Sequence, residues 1–303
     1  MLANNVRQSV KNSNQGDIPV EDDGVWTNTR CWEFSGDASI TKTYTAIQPL
    51  YPDSNDFSMS IWFKIIHSAP YATWNHKFLV RRYMETPIFS ALSTPFVGQV
   101  KMLYDSPALN LKLQINLTQS IYDNTTAWVI IPYEESINKW VNLTMTFDGS
   151  ESSDAVKVYF NGVLKHSEGN GASDFSLYTD PILSYNVSFG QASSGSGALR
   201  ISDYAEWDSV LDQSNVTAIY NEVIEGQPGI PIDLSQAPTG YTNAGNLSVY
   251  YRFGDGLGDN PASHLEDETD SANSLGHADT DGDRDFDYSG HDGSGYIQEM
   301  DIL

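Results

Sequence analysis

The stretch Asp56–Ile66, DFSMSIWFKII, decides the fold. Phe57, Met59, Ile61, Phe63 and Ile65 fall on every second position, with Ser58, Ser60, Trp62 and Lys64 between them. A repeat of two is that of a β-strand, whose successive side chains leave on opposite faces. One face is therefore a core face, and the other meets solvent or a second layer. The same alternation returns twice. Val141, Leu143, Met145 and Phe147 interleave with Asn142, Thr144 and Thr146, and Val156, Val158 and Phe160 with Lys157 and Tyr159. Asn161-Gly162 then stands before Val163-Leu164, where a type I′ hairpin turn needs two residues that tolerate positive φ. Asp148-Gly149, Gly190 and the small-residue run 192–197 mark further breaks. Residues 26–200 read as many short strands joined by such turns, the pattern of an all-β sandwich or barrel.

One segment departs from it. Asp212 is placed to cap a helix in which Val216, Ile219, Tyr220 and Val223 repeat at helical spacing, with Gly226 placed to end it. A short helix laid against the sandwich is expected. Ahead of the strands, residues 1–25 are polar and aperiodic and read as an N-terminal arm. The division expected is an arm (1–25), a jelly-roll sandwich (26–226), a proline-bearing linker (227–246), and a C-terminal strand with an acidic loop-rich tail packing back on the sandwich (247–303).

Sixteen Lys and Arg against 40 Asp and Glu give the 303-residue chain a net charge of −24. A polyanion of this kind is a poor general partner for nucleic acid or for an anionic membrane surface, so neither is expected. Residues 255–303 hold 14 of the acids and one base, Arg284. No apolar run reaches the length a membrane helix needs. The first 24 residues show no apolar leader core. One cysteine, Cys31, excludes an internal disulfide framework and a multi-cysteine zinc site.

Several segments, in order, resemble the laminin-G-like, concanavalin A-type lectin/glucanase jelly rolls. They are Cys31–Asp37, Asp56–Lys64, Trp140–Gly149, Val156–Val163 and Ile201–Asp208 with the helix that follows. The resemblance implies an all-β, concanavalin A-like jelly-roll β-sandwich with one short peripheral helix. Tyr250–Asp259 resembles a strand that often precedes the first strand of that family, as if the sandwich were permuted. That segment and the ending Glu299–Leu303 also resemble structural proteins of tailed bacteriophages, marine ones especially. The implied function is that of a non-enzymatic virion component, a capsid decoration or a head or tail appendage, made in the host cytoplasm. Its partners would be other virion proteins and further copies of itself. The alternative is a carbohydrate-binding adhesin for host-surface polysaccharide. The stretch 66–136 departs from the minimal family pattern as an insert.

A glycosidase of this superfamily would need carboxylates two and four residues apart on one strand. Glu206 and Asp208 meet the first spacing, but position 210 is Val210, and Glu266-Asp267-Glu268 lies in an expected loop. No catalytic residues are assigned. Asp279, Asp281, Asp283 and Asp285 alternate around Gly282 and could converge hard oxygen ligands on calcium. They do not form an EF-hand loop, since the sixth position from Asp279 is Arg284 and the twelfth is Gly290. Trp74, Tyr71, Trp128 and Tyr133, all in the insert, could stack on sugar rings or fill a core or a subunit interface. The six histidines form no His-x-x-x-His pair.

Overall fold

The computed structural model describes residues 30–35, 40–44, 56–66, 77–84, 96–105, 110–120, 123–132, 135, 138–148, 154–168, 185–189, 198–221, 234, 240–253, 264–265, 286–287 and 295–299. The period-two segments form strands. In chain order the elements are β1 (Arg30–Ser35), β2 (Ile40–Tyr44), β3 (Phe57–Ile66), β4 (Lys77–Met84), β5 (Phe96–Asp105), β6 (Asn110–Ser120), β7 (Asp123–Pro132), β8 (Trp140–Phe147), β9 (Val156–Phe160), β10 (Val163–Glu168), β11 (Tyr185–Phe189) and β12 (Ala198–Trp207). Helix α1 (Gln213–Asn221) follows, then β13 (Leu247–Tyr251), β14 (His264–Leu265), β15 (Phe286–Asp287) and β16 (Gly295–Glu299). One sheet runs β10-β9-β8-β3-β12-β1-β16, with β13 also on β12; a second runs β2-β11-β4-β5-β6-β7. Pairing within both is antiparallel. The molecule is an antiparallel β-sandwich with one α-helix among the described residues, and the 66–136 insert supplies four adjacent strands of its second sheet.

The inner core is read directly from register. Phe57 lies opposite Phe147 and then Val156, Met59 opposite Met145 and Val158, and Ile61 opposite Leu143 and Phe160. All nine are buried. Phe189 of β11 reaches across from the second sheet. Its ring meets Tyr204, Tyr251 and Phe253 edge-on, at centroid distances of 5.0, 6.2 and 5.2 Å. Edge-on packing sets the positive rim of one ring against the negative face of another.

The outer face of the eight-stranded sheet is buried as well, by a second layer. Tyr159, Ala205, Trp207 and Tyr250 from the sheet cluster with Val216 and Ile219 of α1 and with Leu211, Leu234 and Tyr241. Trp62 stacks on Tyr220 at 5.9 Å. The small polar residues of β3 and β8 that face this layer satisfy one another. Asn142 donates to Ser60 at 2.8 Å, and Thr144 donates to Asn142 at 2.9 Å. Ser58 donates to the Ser209 carbonyl at 2.7 Å and accepts from the Leu211 N–H at 2.9 Å. A buried polar group left unpaired would cost about 1–3 kcal/mol, so these bonds make the face tolerable inside a protein.

The helix start and the hairpin take the geometry their residues favour. Asp212 accepts from the Asn215 N–H at 2.8 Å, closing the first turn of α1. That bond first, then the Ser214 hydroxyl, holds the Asp212 carboxyl below the ordinary carboxylate range. Asn161 and Gly162 both carry positive φ, 51° and 73°. A Cβ on Gly162 would approach the Tyr220 Cβ to 3.2 Å. Asn142 and Asn215, each the first residue of an Asn-x-Ser/Thr sequon, are buried.

Three outcomes are expected in chemical-denaturation experiments. Phe189→Ala, which empties the bridge between the sheets, lowers unfolding free energy by about 3–5 kcal/mol. Gly162→Ala lowers it by about 1 kcal/mol or more, because a left-handed residue gains a Cβ against a ring. Asp212→Ala costs about 1 kcal/mol near neutral pH. Because the folded Asp212 is the stronger acid, its contribution is complete above the unfolded value of about 4 and disappears as pH falls through the lower folded one. The gap between wild type and Asp212→Ala should therefore close in acid.

Candidate functional site

Two broad sheet faces point away from the inner core. On the eight-stranded sheet that face is occupied by the chain's own helix. Trp207, fully buried there, donates from Nε1 to the Tyr241 hydroxyl at 2.6 Å. Burial pushes the Tyr241 phenol well above its usual range, so it remains a neutral partner. Tyr250 donates to Asp203 at 2.8 Å and accepts from the Leu234 N–H at 3.2 Å. The described residues of this layer are held by one another.

The six-stranded sheet differs. Phe189 fixes which of its faces is inward at β11, and Ile131, fully buried, does so at β7. Register connects the two. Phe189 pairs with Val80, Val80 with Val100 and Val100 with Ile115, while Ile131 pairs with Leu111. Ile115 and Leu111 share a face, so both ends agree. The alternate residues share the other face, where Ile130 is 55% exposed. One register row crosses all six strands on that side: Thr41, Ser188, Arg81, Gln99, Asn116 and Thr126. Every member is polar. The next row aligns Lys101, Gln114 and Trp128.

Sequence reading placed Trp128 in a possible sugar-stacking group but did not see this row. Its members lie one to a strand, between residues 41 and 188. The signal was local: in β6, Asn110, Lys112, Gln114 and Asn116 alternate with Leu111, Leu113, Ile115 and Leu117.

Among the described residues the candidate carboxylates Glu206 and Asp208 do not share a cleft. Glu206 is buried on the inward face, where it pairs in register with Met59 and Val249 and accepts from the Tyr204 hydroxyl. Asp208 lies past the end of β12, its N–H bound to the Asn246 carbonyl at 3.0 Å. The spacing of two that suggested a shared face ends with the strand. Cys31 is buried. Asp279, Asp281, Asp283 and Asp285, like Glu266–Glu268, Tyr71, Trp74 and Tyr133, lie outside the described residues. Among the described residues no group of His, Cys, Asp and Glu gathers with metal-binding geometry.

Comparison with known proteins follows the fold. The binding domain of botulinum neurotoxin DC in complex with rat synaptotagmin II is 13% identical, with a TM-score of 0.46, over 82% of this chain and 57% of that one. The native heptameric SAP-like pentraxin from Limulus polyphemus is 15% identical, with a TM-score of 0.43, over 68% and 92%. The ligand binding domain of botulinum neurotoxin serotype D in complex with N-acetylneuraminic acid is 17% identical, with a TM-score of 0.44, over 66% and 47%. The chain spans about half the length of these two neurotoxin domains. At such identities the likeness is one of fold alone. No curated protein matches the chain. A family profile described as the concanavalin A-like lectin/glucanases superfamily matches residues 37–217, which is more than half of the chain and runs from before β2 into α1. The chain therefore belongs to the concanavalin A-like lectin/glucanases superfamily.

Proposed function

We propose that the chain is a non-enzymatic carbohydrate-binding module that grips polysaccharide on the outward face of its six-stranded sheet. The observation that carries this reading is the polar row from Thr41 to Thr126, with Trp128 one row away, on the side of the sandwich not occupied by α1. Amide, hydroxyl and guanidinium groups suit sugar hydroxyls, and an indole suits the apolar face of a pyranose ring. A superfamily that contains both lectins and glucanases leaves binding or hydrolysis open. The inward position of Glu206 favours binding, because a general acid must touch the bond it cleaves.

A second reading places this module in the virion of a tailed phage, as a capsid decoration or appendage docked to other virion proteins in several copies. It is supported by the resemblance of Tyr250–Asp259 and Glu299–Leu303 to such proteins. The two readings are compatible in one molecule. The aspartates Asp279, Asp281, Asp283 and Asp285 would supply calcium with oxygen ligands in either case.

On a glycan array, the purified chain is expected to retain polysaccharide, and Trp128→Ala to weaken that retention about tenfold or more while leaving the melting temperature unchanged. Silence of the array both with calcium and with a chelator would end the carbohydrate reading. Loss of retention only in chelator, reproduced by Asp281→Asn with Asp283→Asn, would assign the ion. Deleting residues 1–25 should abolish incorporation into particles if the arm is the docking element; normal incorporation would remove that role.

A further inference from the structure

We infer that the ligand of this face is an acidic polysaccharide, a linear glycan whose repeat carries carboxylate or sulfate groups. The inference rests on the binding reading above and names its chemical class. It is carried by where a very acidic chain keeps its cations. The six strands of the second sheet hold Lys42, Lys77, Arg81, Arg82, Lys101 and Lys112 against only Asp105 and Asp123. The sheet is therefore a basic island in a chain of net charge −24.

Three of those cations share the face that carries exposed Ile130, and register places them in a line. Arg81 of β4 falls in the row of Gln99 and Asn116. Lys101 of β5 falls one row further, with Gln114 and Trp128. Lys112 of β6 falls one row beyond that, with Leu103 and Ile130. Each step crosses one strand and moves two residues along. With strands about 4.8 Å apart and a rise of about 3.4 Å per residue, these three backbone positions follow one another diagonally every ~8 Å. Asp105, at the strand end, is the acid on the same face. Evenly spaced cations flanked by amides fit a polymer with evenly spaced anions better than a compact ion. A net charge of −24 repels polyanions at range, but beyond a Debye length of about 8 Å at physiological salt that field is largely screened. Contact on the diagonal then decides binding, and amides and an indole beside it favour sugar over bare phosphate backbone.

Affinity electrophoresis of the full chain tests this with four matrices: polygalacturonate, dextran sulfate, neutral dextran and a single-stranded oligonucleotide. Retardation by polygalacturonate or dextran sulfate, and by neither neutral dextran nor the oligonucleotide, is expected; which of the two retards more identifies the anion. Arg81→Glu with Lys101→Glu should weaken that retardation about tenfold or more. Lys165→Glu, on the edge of the other sheet and exposed beside Glu135, should leave it unchanged and so serves as the charge control. Equal binding of neutral dextran would overturn the acidic class yet keep the carbohydrate reading. Absence of binding to every glycan would remove both. Equal binding of the oligonucleotide, or an equal loss in the Lys165→Glu control, would reduce the face to a general charge effect and overturn the inference.

Discussion

Strand β12 holds two hydrophobic layers in a single register. Along its full length one edge pairs with β3. The opposite edge is divided: residues 198–201 pair with β1 and residues 204–207 with β13. Tyr204 then feeds the inner core against Phe189, while Trp207 feeds the outer cluster under α1. The ladder slips between Ile201 and Asp203, where the edge changes hands, and Ser202 donates to the Asp203 carboxylate across that point at 3.2 Å. A bulge of this kind turns the strand more sharply, which lets one ten-residue strand serve two partners end to end.

Much of this was legible in the residues. Alternation named β3, β8 and β9 and their inward faces, and Asn161-Gly162 named the hairpin between β9 and β10. Asp212 named the start of α1. What alternation could not tell was the fate of Ser58, Ser60, Asn142 and Thr144. Their polarity is consistent with solvent, and they are buried because they bond to one another and to the chain that follows β12. Tyr241 and Leu234 lie in a stretch punctuated by prolines, where no periodicity signals burial; they are held in the outer cluster by hydrogen bonds with Trp207 and Tyr250 respectively. Local pattern reads the face of a strand, while the neighbour that covers the face depends on topology.

The candidate site was less legible for the same reason. A catalytic pair or a metal loop concentrates its chemistry in a few consecutive residues, and sequence reading found such groups at Glu206–Asp208 and Asp279–Asp285. A sheet face spreads its chemistry one residue to a strand. Gln99 and Arg81 become neighbours only when β4 and β5 pair. The two faces of the sandwich thus have different fates. One binds the chain's own helix through aromatic packing; the other carries the polar register row from Thr41 to Thr126.

The divided edge of β12 also governs the order in which the molecule can be made. Its partner β3 lies some 140 positions earlier, and the strand completing the other half of its edge lies about 45 positions later. Loops this long must close before their contacts repay the lost entropy, so formation is slow and the incomplete sheet is vulnerable meanwhile. During synthesis β8 and β9 leave the ribosome in succession, after β3 has emerged, and can pair with each other and with β3 well before β12 is made. The upper half of β12 stays open until Tyr251 has emerged, and a chaperone that shields that edge would have its longest opportunity there.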